Sequence, residues 1–198
     1  MAVLFGLALA GYRYIPYSGI WNESFPVPDM LQPIDLFVLL KIAVSAEEAT
    51  YADLADEMGL SSSQVFRAVK RCQKSGLLRE DKSRVNTEAL LELLIHGVRY
   101  VYPPEIGPET RGWPTAHSAE PFRSELVDVS PQYVWSDSAG NMRGASIEPL
   151  HKKAAFAAKQ DADFHGVLAA VDALRVGRAR ERDMAASFLA RRLSKNAD

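Results

Sequence analysis

The stretch from Thr50 to Leu78, TYADLADEMGLSSSQVFRAVKRCQKSGLL, limits what this chain can fold into more than any other. Tyr51, Leu54, Ala55 and Met58 recur at helical spacing and share one face. Gly59 follows, and glycine readily takes the left-handed conformation that ends a helix. Ser61, Ser62 and Ser63 come next, and a serine hydroxyl can accept from a free backbone N–H at the start of a new helix. The spacing therefore predicts helix, tight turn, helix. The second helix is two-faced. Val65, Ala68, Val69 and Cys72 lie on one side, with Ser63, Arg67, Lys70 and Lys74 roughly opposite.

A helix pair of this kind places its second helix in the DNA major groove, N-terminal residues toward the base edges. Ser62, Ser63, Gln64 and Arg67 occupy the positions from which bases are read. Arginine matches guanine and glutamine matches adenine, because each presents the complementary donor and acceptor pair. Lys70, Arg71 and Lys74 lie further along and suit phosphates, which fix position without reporting sequence. Phe66 flanks the exposed side, suited either to a thymine methyl or to half-buried packing. Gly76 ends the helix, and Arg79 to Val85 reads as a short hairpin with a polar tip, a wing. Its Lys82 and Arg84 are placed for a flanking phosphate or the minor groove. Basic residues dominate from Ser61 to Arg84, opposed only by Glu80 and Asp81, although the whole chain carries a net charge of −2. A local basic face on a near-neutral chain is the footprint of a defined contact with a polyanion.

From Leu36 to Val85 the chain resembles the winged helix-turn-helix domain of the MarR and ArsR-like bacterial transcription regulators. The matching features are the apolar first helix PIDLFVLLKIA, the Gly-Leu-Ser turn, the basic helix with its Gly-Leu-Leu exit, and the basic wing. The resemblance implies double-stranded DNA as the partner and a homodimer as the working form. It departs from the metal-sensing branch in lacking a cysteine or histidine cluster.

With 198 residues, 47% of them hydrophobic and 24% charged, the composition is that of an ordinary globular protein. The single cysteine, Cys72, excludes an internal disulfide framework and fits a reducing compartment. Ala8-Leu9-Ala10 resembles a signal-peptidase site, but no charged segment precedes it and the apolar run is too short to span a bilayer. A cytoplasmic location without membrane association is expected. Tyr12, Tyr14, Tyr17, Trp21 and Phe25 make residues 1–29 aromatic-rich. Two readings stay open for them: an arm that packs on the body or a partner, or an upstream extension with Met30 as the natural start.

The fold class expected is mainly α with a small β component: a winged helix-turn-helix, an irregular segment and a C-terminal helical pair. We divide the chain into 1–29 (extension or arm), 30–102 (DNA-binding domain), 103–149 (loop-rich, with short strands) and 150–198 (helical). Thr87 to His96 reads as a helix closed by Gly97, packed on the first helix or on its mate in a dimer. Val98 to Tyr102 alternates like a short strand stopped by Pro103-Pro104. Tyr133 to Trp135 and Met142 to Gly144 suggest a strand, a turn and a return strand. Thr110 to His117 reads as a loop, either capping the core through Trp113 or gripping an acidic group through Arg111 and His117. Helices are expected from Ser146 or Ile147 to Ala158, from Asp163 to Val176, and from Ala179 to Leu193. Arg175, Arg178, Arg180 and Arg182 gather where the last two meet.

His96, His117, His151 and His165 are scattered, and none has a carboxylate at ligand spacing. His151 with Asp161 or His165 is the pairing the fold could still bring together. No metalloprotease, nucleophile-elbow or phosphate-cradling motif is present. No catalysis, cofactor or metal is therefore expected. The leading expectation is a sequence-specific DNA-binding regulator, most simply a dimeric repressor. The alternative is an antitoxin-like protein that grips a co-encoded partner and uses the winged helix for autoregulation or protein contacts.

Overall fold

A computed structural model describes residues 30–45, 49–79, 85–126 and 129–194. Its centre is α1 (Pro33–Val44). Proline at its first turn suits helix entry, and the backbone N–H of Gln32 donates to the Asp35 carboxylate. Leu36 to Leu40 are all fully buried. A run of consecutive apolar residues leaves a helix no polar face, so it must be covered on several sides. The helices Ser62–Lys74, Ala162–Val176 and Ala179–Ser194 supply that cover.

Helix α2 (Tyr51–Met58) opens with a capping box in which Thr50 and Asp53 satisfy each other's backbone N–H groups. It closes at Gly59, whose φ of 64° is the left-handed region. Helix α3 (Ser62–Lys74) opens with a second such box between Ser61 and Gln64. After it, Leu78 pairs antiparallel with Val85, forming the base of a wing.

The next segment differs from expectation. Gly97 does not close the helix, and Val98 to Tyr102 is not a strand. Helix α4 (Thr87–Glu92) runs through a π-helical turn (Leu93–Gly97) directly into α5 (Val98–Val101). Leu90, Leu94 and Val98 explain why: spaced by four, all are buried, while Tyr100 of the same alternating run is 75% exposed. Helical spacing across the longer segment wins over the short period-two pattern.

Strand β1 (Ile106–Pro114) occupies much of the stretch read as a loop. The later pair of strands is present as β2 (Tyr133–Ser136) and β3 (Met142–Ile147), but not as a hairpin. Both run antiparallel to β1, with Trp113 opposite Trp135 and Gly112 opposite Met142. They pair in parallel with each other at Tyr133 and Ala145, which closes the three strands on themselves. Gly112 sits at their meeting point, where a side chain would strike the Trp135 carbonyl. A 3-10 turn (Ala116–Ser118) and the short α6 (Phe122–Glu125) lie between β1 and β2.

β3 extends to Ile147, so no helix opens at Ser146; α7 (Ala154–Gln160) starts one turn or more later. Asp161 caps α8 (Ala162–Val176), and α9 (Ala179–Ser194) follows the break at Gly177. Helix α8 is the second buried axis, and α9 packs on both α8 and α4. One continuous core joins α1, α3, α8 and α9 through Phe37, Val65, Phe164 and Leu189.

Burial holds His117, His151 and His165 below the ordinary imidazole value. The unfolded chain takes up these protons near pH 6.5 while the folded chain resists them, so their contribution to stability is full above that value and is lost as pH falls through it toward the folded values. Circular-dichroism melts should give a lower Tm at about pH 5 than at about pH 7.5. An equal or higher Tm in acid would contradict the neutral, buried histidines.

Candidate nucleic-acid interface

Helix α3 separates its two faces as its sequence requires. Val65, Ala68, Val69 and Cys72 are buried against α1 and α2. The Cys72 thiol lies 3.6 Å from the Asp35 carbonyl oxygen, and burial pushes its pKa up to about 12. A thiol so shielded stays protonated and unreactive. Ser62, Ser63, Phe66, Arg67, Lys70 and Lys74 are exposed. They form one outward surface, hydroxyls near the N-terminal end and cations from the second turn onward.

Two of the sequence candidates have other engagements. Gln64 is half-buried, and its side-chain oxygen accepts from the backbone N–H and the hydroxyl of Ser61 at 3.0 and 3.1 Å. A bidentate contact with adenine needs that oxygen as well as the amide nitrogen. Arg71, expected on a phosphate, turns inward to Asp35. Its Nε and Nη2 donate to the two Asp35 oxygens at 2.8 and 2.6 Å, in the forked geometry that suits guanidinium and carboxylate. Asp35 is completely buried. The sequence reading missed it, although an acid inside an otherwise apolar helix was the signal to look for its cation. The pair fixes α3 to α1 in both position and rotation.

Lys41 does the equivalent for α2. Its ammonium lies 2.7 Å from both Glu57 of α2 and Asp161 at the cap of α8. Burial lowers its pKa, but the hydrogen bonds to Asp161 and Glu57 outweigh that and hold it above the usual lysine value. Lys82 and Arg84 lie outside the described residues. At the wing's base the Arg79 carbonyl accepts from the side chain of Gln73 on α3.

The other clusters suggested by sequence are structural or dispersed. Arg111 is exposed on β1, whereas His117 is buried with its Nε2 donating to the Pro131 carbonyl. Trp113 is half-buried, its ring 6.1 Å from that of His165. His151 stacks on Phe37 at 5.2 Å, while the Nε2 of His165 donates to the Pro114 carbonyl. The arginines at the α8–α9 junction do not converge outward: Arg175 is buried against Asp172, and Arg182 donates to the Gly177 carbonyl. Among the described residues no group of three or more His, Cys, Asp or Glu stands where it could hold a metal ion. No described helix is long and apolar enough to cross a membrane.

Helix, left-handed glycine, capped basic helix and wing base thus follow one another over the residues that resemble a winged helix. Residues 31–85 match the MarR family model. They form a MarR-family winged-helix domain. No curated protein and no solved structure matches the chain significantly. In this domain the outward side chains of α3 are those of the exposed face above.

Removing Arg71 leaves the Asp35 carboxylate buried and unpaired, so Arg71→Ala should destabilise the fold by about 3 kcal/mol. Urea unfolding followed by circular dichroism measures this. A loss under about 0.5 kcal/mol, the level of an ordinary surface substitution, would contradict the clamp.

Proposed function

We propose that the chain is a sequence-reading transcriptional regulator that inserts α3 into the DNA major groove. The observation that carries the reading is the exposed face of α3, where Ser62, Ser63 and Arg67 stand together on a helix clamped from behind by Asp35 and Arg71. In this reading Ser62, Ser63 and Arg67 contact base edges, and Lys70 and Lys74 contact phosphates. Lys82 and Arg84 serve the flanking backbone. Gln64 and Arg71 hold the helix in shape. The protein acts in the compartment that holds the DNA, and it represses by occupying sequence that polymerase would otherwise use.

A pseudo-palindromic site read by two copies is the natural arrangement for such a helix. Met30, Tyr100, Val101 and Ile106 support a second copy: all are large, apolar and more than half exposed. Hydrogen bonds link the segments that carry them. The Tyr102 hydroxyl donates to the Leu31 carbonyl, and Arg175 joins the carbonyls of Tyr102 and Glu148 beside the start of β1. Burying this patch against its twin would remove it from water on both partners.

Binding-site selection followed by titration tests the roles. Arg67→Ala should weaken binding by roughly 1–3 kcal/mol and relax preference at one base pair of each half-site. Lys74→Ala should weaken binding to every sequence and reduce the salt slope by about one phosphate per half-site. Two chains should saturate one selected duplex. Equal, sequence-independent losses from both variants would remove base reading by Arg67, and one chain per duplex would remove the dimer.

A further inference from the structure

Phe66 is the one exposed large apolar side chain on α3, 45% accessible on a face otherwise made of hydroxyls and cations. Two contacts position it. Its ring meets that of Tyr51 edge-on, with centroids 5.8 Å apart and planes at 82°. The Lys70 ammonium, one turn along α3, lies 5.8 Å from its centroid. The ring thus lies between Tyr51 of α2 and the Lys70 ammonium, and its remaining surface faces outward. These contacts reduce the rotamer freedom to be lost when it meets a ligand.

Resting on the reading proposed above, we propose that Phe66 is a specificity residue that recognises the 5-methyl group of a thymine in the major groove. The setting selects this ligand over a protein surface. A protein partner would call for an apolar patch, yet the neighbours of Phe66 on α3 are Ser62, Ser63, Arg67 and Lys70. One apolar spot bordered by hydroxyls and cations matches one methyl group among polar base edges and phosphates. Thymine alone among the bases presents such a group in the major groove, and apolar contact is how it is read. The side chain lies on the second turn of α3 beside Arg67, within the N-terminal half that reaches base edges. The pair would then read neighbouring positions: Arg67 by hydrogen bonds, Phe66 by the methyl.

The test uses the purified full chain. Duplexes are selected from a random library, and the best is resynthesised with deoxyuridine replacing one thymidine at a time, which deletes the methyl and nothing else. At one thymine per half-site the wild type should lose affinity about fourfold, the value of burying a single methyl. Phe66→Ala should bind thymidine and deoxyuridine duplexes equally, and Phe66→Leu, which keeps an apolar contact and secures the comparison should the alanine variant fold poorly, should retain part of the preference. A wild type indifferent to deoxyuridine at every position overturns the proposal while leaving the DNA-binding reading intact. Unchanged methyl preference in a folded Phe66→Ala also overturns it. Failure to enrich any sequence overturns both.

Discussion

The Asp172 carboxylate on α8 is buried and accepts from three directions. Thr115 donates its hydroxyl at 2.8 Å, Trp135 its indole N–H at 2.7 Å and Arg175 its guanidinium at 2.6 Å. Thr115 follows β1 and Trp135 lies on β2, so a single carboxylate holds the closed sheet against the helical core. Arg175 extends the same network to the carbonyls of Tyr102 and Glu148, at the ends of α5 and β3. A buried charge is costly unless its hydrogen bonds are made. This network makes them from side chains far apart in sequence. A small sheet gains its stability by packing against a helix, and the anchor to α8 gives these three strands that support.

Ion pairs made by the buried Asp35 and Lys41 carry that order to the helix-turn-helix. Asp35 and Arg71 join α1 to α3, and Lys41 joins α1 to α2 and to the cap of α8. Each arm of the helix-turn-helix is tied to α1, and α1 lies within the same core as α8. The helix that the proposed function places in the groove is therefore braced by the whole fold. On the proposed reading, binding would then involve little reordering of that surface, which favours specificity over loose attraction to any polyanion.

The sequence made the winged helix legible because its signals are local. Apolar spacing, a left-handed glycine and capping serines act within a few residues of one another, and α1, α2 and α3 follow them. The same local logic made the thiol of Cys72 readable as buried. It failed where distant partners decide. Arg71 carries the same charge as Lys70 and Lys74, and only the buried Asp35, far away in sequence, turns it inward. β1 was hidden because Gly107, Pro108, Gly112 and Pro114 dilute any strand pattern. It is a strand because β2 and β3 pair along it. The Val98–Tyr102 alternation misled because the π-turn keeps Val98 in line with Leu90 and Leu94. Asp172 gave no local sign of its role, since its partners Thr115 and Trp135 come from other elements.

The central claim is that the exposed face of α3 reads a particular DNA sequence. Fluorescence anisotropy of the full chain with DNA from upstream of its own gene, against a scrambled duplex of equal length, tests it most directly. At physiological salt the account predicts affinity for the upstream DNA at least about a hundredfold above the scrambled duplex. Equal, weak binding to both that disappears with added salt would contradict it.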